Sequence, residues 1–220
     1  MSPRKLPQAP QKGAEVSAWR LLATLGGAGA LAGFLLVFVY QVTQPAIQAY
    51  KAKVLRESIQ EVLKGPARWD TLYVLDDALT PAPPADANLA TLERVFLGYD
   101  EAGDPMGFAI TGAEPGYQDI IELIFGYDAE SQLVLGMKVL SMKETPGLGD
   151  KIEKDSAFVA EFEGVSTPIA GVKPTRATGA ANEVDMISGA TISSRTVIAI
   201  INHKLERLGP MLQRYMEERT

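Results

Sequence analysis

Hydrophobic positions change their pattern twice along the chain. Residues 21–40 (LLATLGGAGALAGFLLVFVY) form an apolar run with no charge and only Thr24 as a clearly polar side chain. Twenty helical residues reach ~30 Å, the thickness of a bilayer's hydrocarbon core, so the run predicts a membrane-spanning helix. Trp19 and Tyr40 stand at its ends, where aromatic side chains meet the membrane–water boundary. Gly26, Gly27, Ala30 and Gly33 lie roughly along one side and permit close packing against another membrane helix. The rival reading is a cleaved signal peptide, whose apolar core is shorter, ~7–15 residues, and is followed by a small-x-small site. Here the run leads into QVTQPA, which is a poor site, so an uncleaved anchor is expected.

After Pro45 the pattern becomes amphipathic. Residues 46–64 place Ile47, Val54, Ile59 and Leu63 among charges at helical spacing, which predicts a helix that continues the span and stops at Gly65-Pro66. Residues 80–88 are a proline-rich loop. The third regime is strand-like: 93–99, 106–111, 119–125 and 133–141 are short β-prone runs separated by turn residues. In IIELIFGYD apolar side chains occur in both alternation classes, as in a strand covered on both faces. Residues 154–163 predict a helix with Phe158, Val159 and Phe162 inward, and 165–185 read as mixed loop. Residues 193–208 predict a long helix with Val197, Ile201, Leu205 and Leu208 on one face. Gly209-Pro210 is expected to stop it, with a short polar helix to follow. The expected class is α+β: one N-terminal transmembrane helix, then a single domain with a mainly antiparallel sheet and flanking helices. The boundaries drawn are a tail 1–18, a transmembrane helix 19–41, a connecting helix 42–64 and a domain 65–220.

Composition narrows the chemistry. The 220 residues hold no cysteine and one histidine, His203. That excludes disulfides, thiolate zinc sites, protein-held iron–sulfur clusters, cysteine nucleophiles and Ser-His-Asp triads. The formal net charge is −6. Four of the basic residues (Arg4, Lys5, Lys12, Arg20) and one acid precede residue 21, so the remainder is more acidic still. Such a surface repels phosphate backbones and argues against nucleic-acid binding. Lys51, Lys53 and Arg56 follow the span, leaving a slight positive-inside bias toward a cytoplasmic N-terminus and a domain outside. Asp76-Asp77 show no metal-ligand spacing.

Before the long helix the chain reads Asp185-Met186-Ile187-Ser188-Gly189-Ala190-Thr191. A small, flexible turn entering a helix gathers free N–H groups at the positive end of the helix dipole, a place that stabilises anions and phosphate above all. Thr191 sets a hydroxyl in that field. The plainer reading makes Ser188, Thr191 and Ser193 helix N-cap candidates. A second string, Glu144-Thr145-Pro146-Gly147-Leu148-Gly149-Asp150-Lys151-Ile152, follows the last strand of the β-rich stretch. Its Pro-Gly turn and two glycines expose backbone amides to another chain or a flat ring, or simply connect strand to helix.

The first string resembles the flavinylation signature of the FMN-binding domain family, and the second resembles the Glu-Thr-Pro-Gly-Leu-Gly motif of the same family. With the single N-terminal span, the resemblance covers residues 20 to 210 and is greatest to the G subunit of Rnf-type ion-translocating electron-transport complexes. The C subunit of the sodium-translocating NADH:quinone reductase is the related alternative, and is usually longer. The resemblance implies one FMN per chain, joined through its phosphate to Thr191 by a separate flavin transferase that uses FAD. It implies Asp185, Ser188, Gly189 and Ala190 around that attachment, and Glu144, Thr145, Gly147 and Leu148 against the flavin. Tyr117, after Gly116, would stack on the isoalloxazine or serve as a core tyrosine. Met142 stands where relatives often carry histidine, and could pack on the flavin edge instead. Lys151 would pair with the phosphate or remain solvated, and His203 reads as a surface residue. No catalytic residue and no metal are implied. The implied role is an electron-carrying protein of the bacterial inner membrane, with its C-terminal domain extracytoplasmic and with other membrane and peripheral subunits as partners. The competing classes are a non-redox anchored module binding a partner or an anion, and a hydrolase using Thr191, which lacks a nearby base.

Overall fold

A computed structural model describes residues 17–75, 78–83 and 92–219. Asp76-Asp77, the tail before residue 17 and part of the proline-rich stretch lie outside the described residues. Helix α1 (Ala18–Val62) is continuous over 45 residues and carries Pro45 in its interior. The large apolar side chains between Trp19 and Tyr50 are exposed. Among the described residues α1 is the one helix long and apolar enough to cross a membrane. Uncharged apolar surface of that extent is stable in lipid, not in water, and the helix satisfies its own backbone there. It is the transmembrane anchor.

From Ala52 the chain folds as a unit of its own. Its strands are β1 (Arg68–Leu75), β2 (Ala78–Thr80), β3 (Arg94–Tyr99), β4 (Pro105–Pro115), β5 (Ile120–Asp128), β6 (Leu133–Ser141) and β7 (Val165–Ser166). They form one antiparallel sheet in the order β2-β1-β3-β4-β5-β6-β7. Helices α2 (Lys151–Lys154) and α3 (Ser156–Ala160) precede β7 in the chain. After it come β8 (Ala170–Val172) and β9 (Glu183–Asp185), which pair in parallel, and finally α4 (Thr191–Glu217). The sheet is covered on both faces, as the mixed pattern of β5 predicts. Ile121, Leu123, Phe125 and Tyr127 join the main core with Val197, Ile200, Ile201 and Leu205 of α4. Ile124 joins Phe96 and Ala109 under Ile59, Val62 and Leu63, at the end of α1 and just beyond it.

Several elements differ from the sequence expectation. The helix expected over 154–163 is two short helices, because the Asp155 carboxylate accepts from the Ala157 and Phe158 amides at 3.1 and 3.4 Å and starts a new helix. The stretch 165–185 contains β7, β8 and β9 rather than loop alone. Helix α4 does not stop at Gly209-Pro210. A proline inside a helix costs ~3 kcal/mol and a glycine ~1 kcal/mol. Leu205, Leu208, Met211 and Leu212 are nevertheless buried on both sides of the pair, and each such side chain stabilises by roughly 1.5–3 kcal/mol. Tertiary burial wins over local propensity. Strands β1 and β2 also stand where the sequence pattern predicts no strand.

Candidate functional site

Two turns of the same construction lie between the sheet and α4. In Thr145–Leu148 the Leu148 amide donates to the Thr145 carbonyl at 3.1 Å, with Pro146 second and Gly147 third at φ +78°. In Ile187–Ala190 the Ala190 amide donates to the Ile187 carbonyl at 3.0 Å, with Gly189 third at φ +85°. A positive φ at the third position is the mark of a type II turn and suits glycine, which has no Cβ to clash. The turns touch: a Cβ built on Gly189 would lie 3.5 Å from Leu148 Cδ2.

The second turn feeds directly into α4. Ala190 is its N-cap residue and supplies no side-chain cap. The capping expected of Ser188, Thr191 or Ser193 is therefore absent, and each hydroxyl has another situation. Ser194, buried, accepts from the Ile187 amide at 3.1 Å and donates to the Ala190 carbonyl at 3.0 Å, which pins the turn onto the helix. Ser193, also buried, donates to Glu144 Oε2 at 2.8 Å. Ser188 is exposed at the corner. Thr191 is half-buried, and its hydroxyl has no hydrogen-bond partner among the described residues. The first intrahelical bond is made by the Ser194 amide to the Ala190 carbonyl, so the amides of Thr191, Ile192 and Ser193 find no acceptor among the described residues.

Glu144 is buried, and its Oε1 accepts from the Tyr117 and Gln118 amides at 3.0 and 3.1 Å. The Thr145 hydroxyl donates to Gln118 Oε1 at 3.1 Å. The link between β4 and β5 is thus fastened to the loop after β6. Between these segments opens a cleft of about 380 Å³, lined by Tyr117, Glu144, Thr145, Leu148, Gly149, Gly189, Ala190, Thr191, Ile192 and Ser193. That volume falls in the ~300–1,000 Å³ range of small-molecule sites. Among the described residues from Ala52 onward, the exposed large apolar side chains are Tyr117, Ile120, Leu148 and Ile192. Three of the four line the cleft.

Of the residues singled out in sequence, Thr191, Gly189, Ala190, Glu144, Thr145, Leu148 and Tyr117 come together in this cleft. Tyr117 is not a core tyrosine: it is 68% exposed, because Glu144 holds its amide and that of Gln118 while the ring is left at the rim. Gly147 and Ser188 are at exposed turn corners outside the lining. Asp185 is also outside it, on β9, where its amide donates to the Glu161 carboxylate. Burial raises the Glu161 carboxyl above its ordinary value, against the lowering by that hydrogen bond. Met142 does not reach the cleft. It packs on the main core and lines a neighbouring hollow instead. Lys151 is not in the lining. His203 is exposed, with Nδ1 2.7 Å from Glu114 Oε1, which raises its pKa. The parts of Ile192, Ser193 and Gln118 are not legible in the sequence, whereas Gly149 belongs to the Glu144–Gly149 loop expected to face the flavin and does line the cleft. Gly149 and Ser193 lie inside or beside the two strings, but the pairing of Ser193 with Glu144 joins residues 49 positions apart and has no local signal.

The family model for the FMN-binding domain matches residues 116–206, a span that contains every residue of the cleft. The G subunit of the ion-translocating oxidoreductase complex of Vibrio cholerae is 32% identical over 179 residues, covering 78% of this chain and 81% of that protein. The chain belongs to this family. The corresponding protein of Methanosarcina acetivorans is 29% identical over 191 residues, covering 85% of this chain and 92% of that one. Two solved structures share the family fold. The crystal structure of Shewanella oneidensis NqrC superposes with a TM-score of 0.62 at 18% identity, over 76% of this chain and 99% of that one. The C subunit of the Na(+)-translocating NADH-quinone reductase from Parabacteroides distasonis gives 0.53 at 22% identity, over 64% of this chain and 76% of that one.

Proposed function

We propose that this chain is the membrane-anchored, electron-carrying subunit of an Rnf-type ion-translocating oxidoreductase, with one FMN joined through its phosphate to the Thr191 hydroxyl. The observation that carries the reading is the pairing at the start of α4. The Thr191 hydroxyl and three amides are without partners among the described residues, while Ser193 and Ser194 are engaged and Ser188 stands exposed outside the cleft lining. A phosphate on Thr191 would meet those amides and the positive end of a 27-residue helix. Tyr117, Leu148 and Ile192 offer apolar and aromatic surface to a flat ring, and Glu144 and Thr145 form the wall behind it.

FMN, when bound, exchanges one or two electrons, and the protein supplies binding, orientation and electrostatics. The chain's residues hold and orient, and none is assigned an acid–base step, in keeping with a relay within a larger complex. Membrane and peripheral subunits of that complex are its partners, and a flavin transferase matures it. The chain divides into tail 1–18, span 19–41, connecting helix 42–64 and FMN-binding domain 65–220. The tail is cytoplasmic and the domain extracytoplasmic, in line with the charge bias across the span. Relatives that are G subunits of ion-translocating oxidoreductase complexes favour the Rnf type over the quinone-reductase type.

Full-length protein co-produced with a flavin transferase gives a denatured gel band that fluoresces under ultraviolet light, and its mass rises by one FMN less one water. Thr191→Ala gives neither. Covalent flavin that survives in the alanine variant overturns the assignment. Protease added to spheroplasts digests the domain and spares an N-terminal tag, and the reverse pattern overturns the topology.

A further inference from the structure

Glu144 stands in the wall between the cleft and a second hollow of about 460 Å³ that reaches Met142, Pro146, Asp150 and Lys154. Its side chain is 6% exposed, and every hydrogen bond it makes goes to a donor on another segment. Oε1 takes the Tyr117 and Gln118 amides, at the link between β4 and β5. Oε2 takes the Ser193 hydroxyl, in the first turn of α4 and two residues beyond Thr191. Glycines on two sides make room for it. A Cβ on Gly116 would fall 2.4 Å from Oε1, and one on Gly149 would fall 2.6 Å from Oε2. One carboxylate therefore ties together the segment carrying Tyr117, the segment carrying Thr191 and its own loop.

We propose that Glu144 is a positioning residue, not a flavin ligand: it locks Tyr117 and Thr191 in register and fixes a negative charge beside the ring that holds the flavin's midpoint potential down. The inference rests on the FMN reading above. Both oxygens of the carboxylate are occupied by protein donors, so it has little left to offer a ligand. A charge on a buried side chain acts on a nearby ring more strongly than one in solvent.

Three variants separate the lock from the charge. In Glu144→Gln the amide oxygen can still accept from Tyr117 and Gln118, while its NH₂ faces a Ser193 hydroxyl that can turn to accept. The lock is kept and the charge is lost. Ser193→Ala keeps the charge and cuts one tie. Glu144→Ala loses both. Two measurements on the full-length chain in detergent decide the matter. In spectroelectrochemical titration of flavin-loaded protein, Glu144→Gln raises the midpoint potential, with about tenfold more reduced flavin at a fixed potential, or ~30 mV for a two-electron couple. Ser193→Ala moves that ratio less than about twofold. In hydrogen exchange of the unloaded chain, the Tyr117 and Gln118 amides are protected in the wild type and in Glu144→Gln, and lose about tenfold or more of that protection in Glu144→Ala.

An unchanged potential in loaded Glu144→Gln overturns the charge, and unprotected amides in the wild type overturn the lock. If Glu144→Gln fails to fold, Glu144→Asp decides: it keeps the charge but falls one methylene short of three donors, so the potential stays low while the amides are freed. A raised potential or retained protection in that variant overturns the proposal. Wild-type protein that takes up no flavin defeats the functional reading instead, and the exchange result still judges the lock.

Discussion

Among the described residues two hollows open along α4, and the larger is not the one proposed as the site. The larger, about 540 Å³, lies along the second half of the helix between Asn202 and Gln213, beside Tyr127, Gln132, Thr167 and Pro168. Two of its polar side chains, Asn202 and Thr167, are already engaged. Asn202 accepts from the Ile169 amide and donates to the Ile169 carbonyl, both at 2.8 Å, and the Thr167 hydroxyl donates to the Gln132 carbonyl at 3.1 Å. Tyr127 and Leu205 are buried there, and its exposed apolar members are the small rings of Pro168 and Pro210. The smaller cleft, about 380 Å³, lies at the start of the same helix and is the reverse case. There a hydroxyl and three amides have no partner among the described residues, and Tyr117, Leu148 and Ile192 are exposed. The first amides of any helix lack intrahelical partners, and it is their meeting with an unpartnered hydroxyl and exposed apolar surface that favours the smaller cleft as the proposed site. Volume alone does not.

Substitutions at the two ends of α4 should therefore act differently. The largest effect belongs to Thr191→Ala, which removes attached flavin completely yet changes stability by less than about 1 kcal/mol, because the lost hydroxyl has no partner. Mass spectrometry and a melting curve on one sample test both halves. Leu208→Ala, at a fully buried position in the second half of α4, should cost ~2–5 kcal/mol in denaturant unfolding while the folded fraction keeps its flavin. Asn202→Ala leaves the amide and carbonyl of Ile169 unpaired and should cost ~1–3 kcal/mol, again with full flavin content. Flavin loss in either variant would make the larger hollow part of the site. Gly189→Ala is the mildest. A side chain at φ +85° strains the turn by ~1–2 kcal/mol, while its nearest new contact, Leu148 at 3.5 Å, is an ordinary one. Flavin uptake should slow without being abolished, which a time course of gel fluorescence reads.

What is legible in the sequence follows the range of the forces involved. The anchor, strands β3 to β6 and the entry to α4 are written in local periodicity and turn residues. The two turns are legible because Pro146-Gly147 and Ser188-Gly189 are local chemistry. Their contact follows from the family resemblance alone, since residues ~40 positions apart leave no mark in a periodicity. The run of α4 through Pro210 is hidden because only tertiary burial of Leu208, Met211 and Leu212 outweighs the local signal to stop. Strand β1, with Arg68, Asp70 and Thr71 interleaved among Trp69, Leu72 and Tyr73, buries only Leu72 below a tenth of its surface and shows no clean alternation. A Cβ on Gly147 would meet nothing within 4 Å, so within the protein the demand for glycine comes from the positive φ of the turn.

Everything proposed for the cleft depends on which hydroxyl carries the flavin. Ser188, Thr191, Ser193 and Ser194 lie within seven residues, and Ser193 and Ser194 are buried and engaged in hydrogen bonds whereas Thr191 is proposed to carry the flavin. Tandem mass spectrometry of the peptide spanning residues 185–195, from protein matured with a flavin transferase, reads the attachment residue directly. The expected result is the mass of FMN less one water on Thr191, with none on Ser188, Ser193 or Ser194. Flavin on any of the three serines, or a peptide without flavin while the protein binds FMN elsewhere, would contradict it.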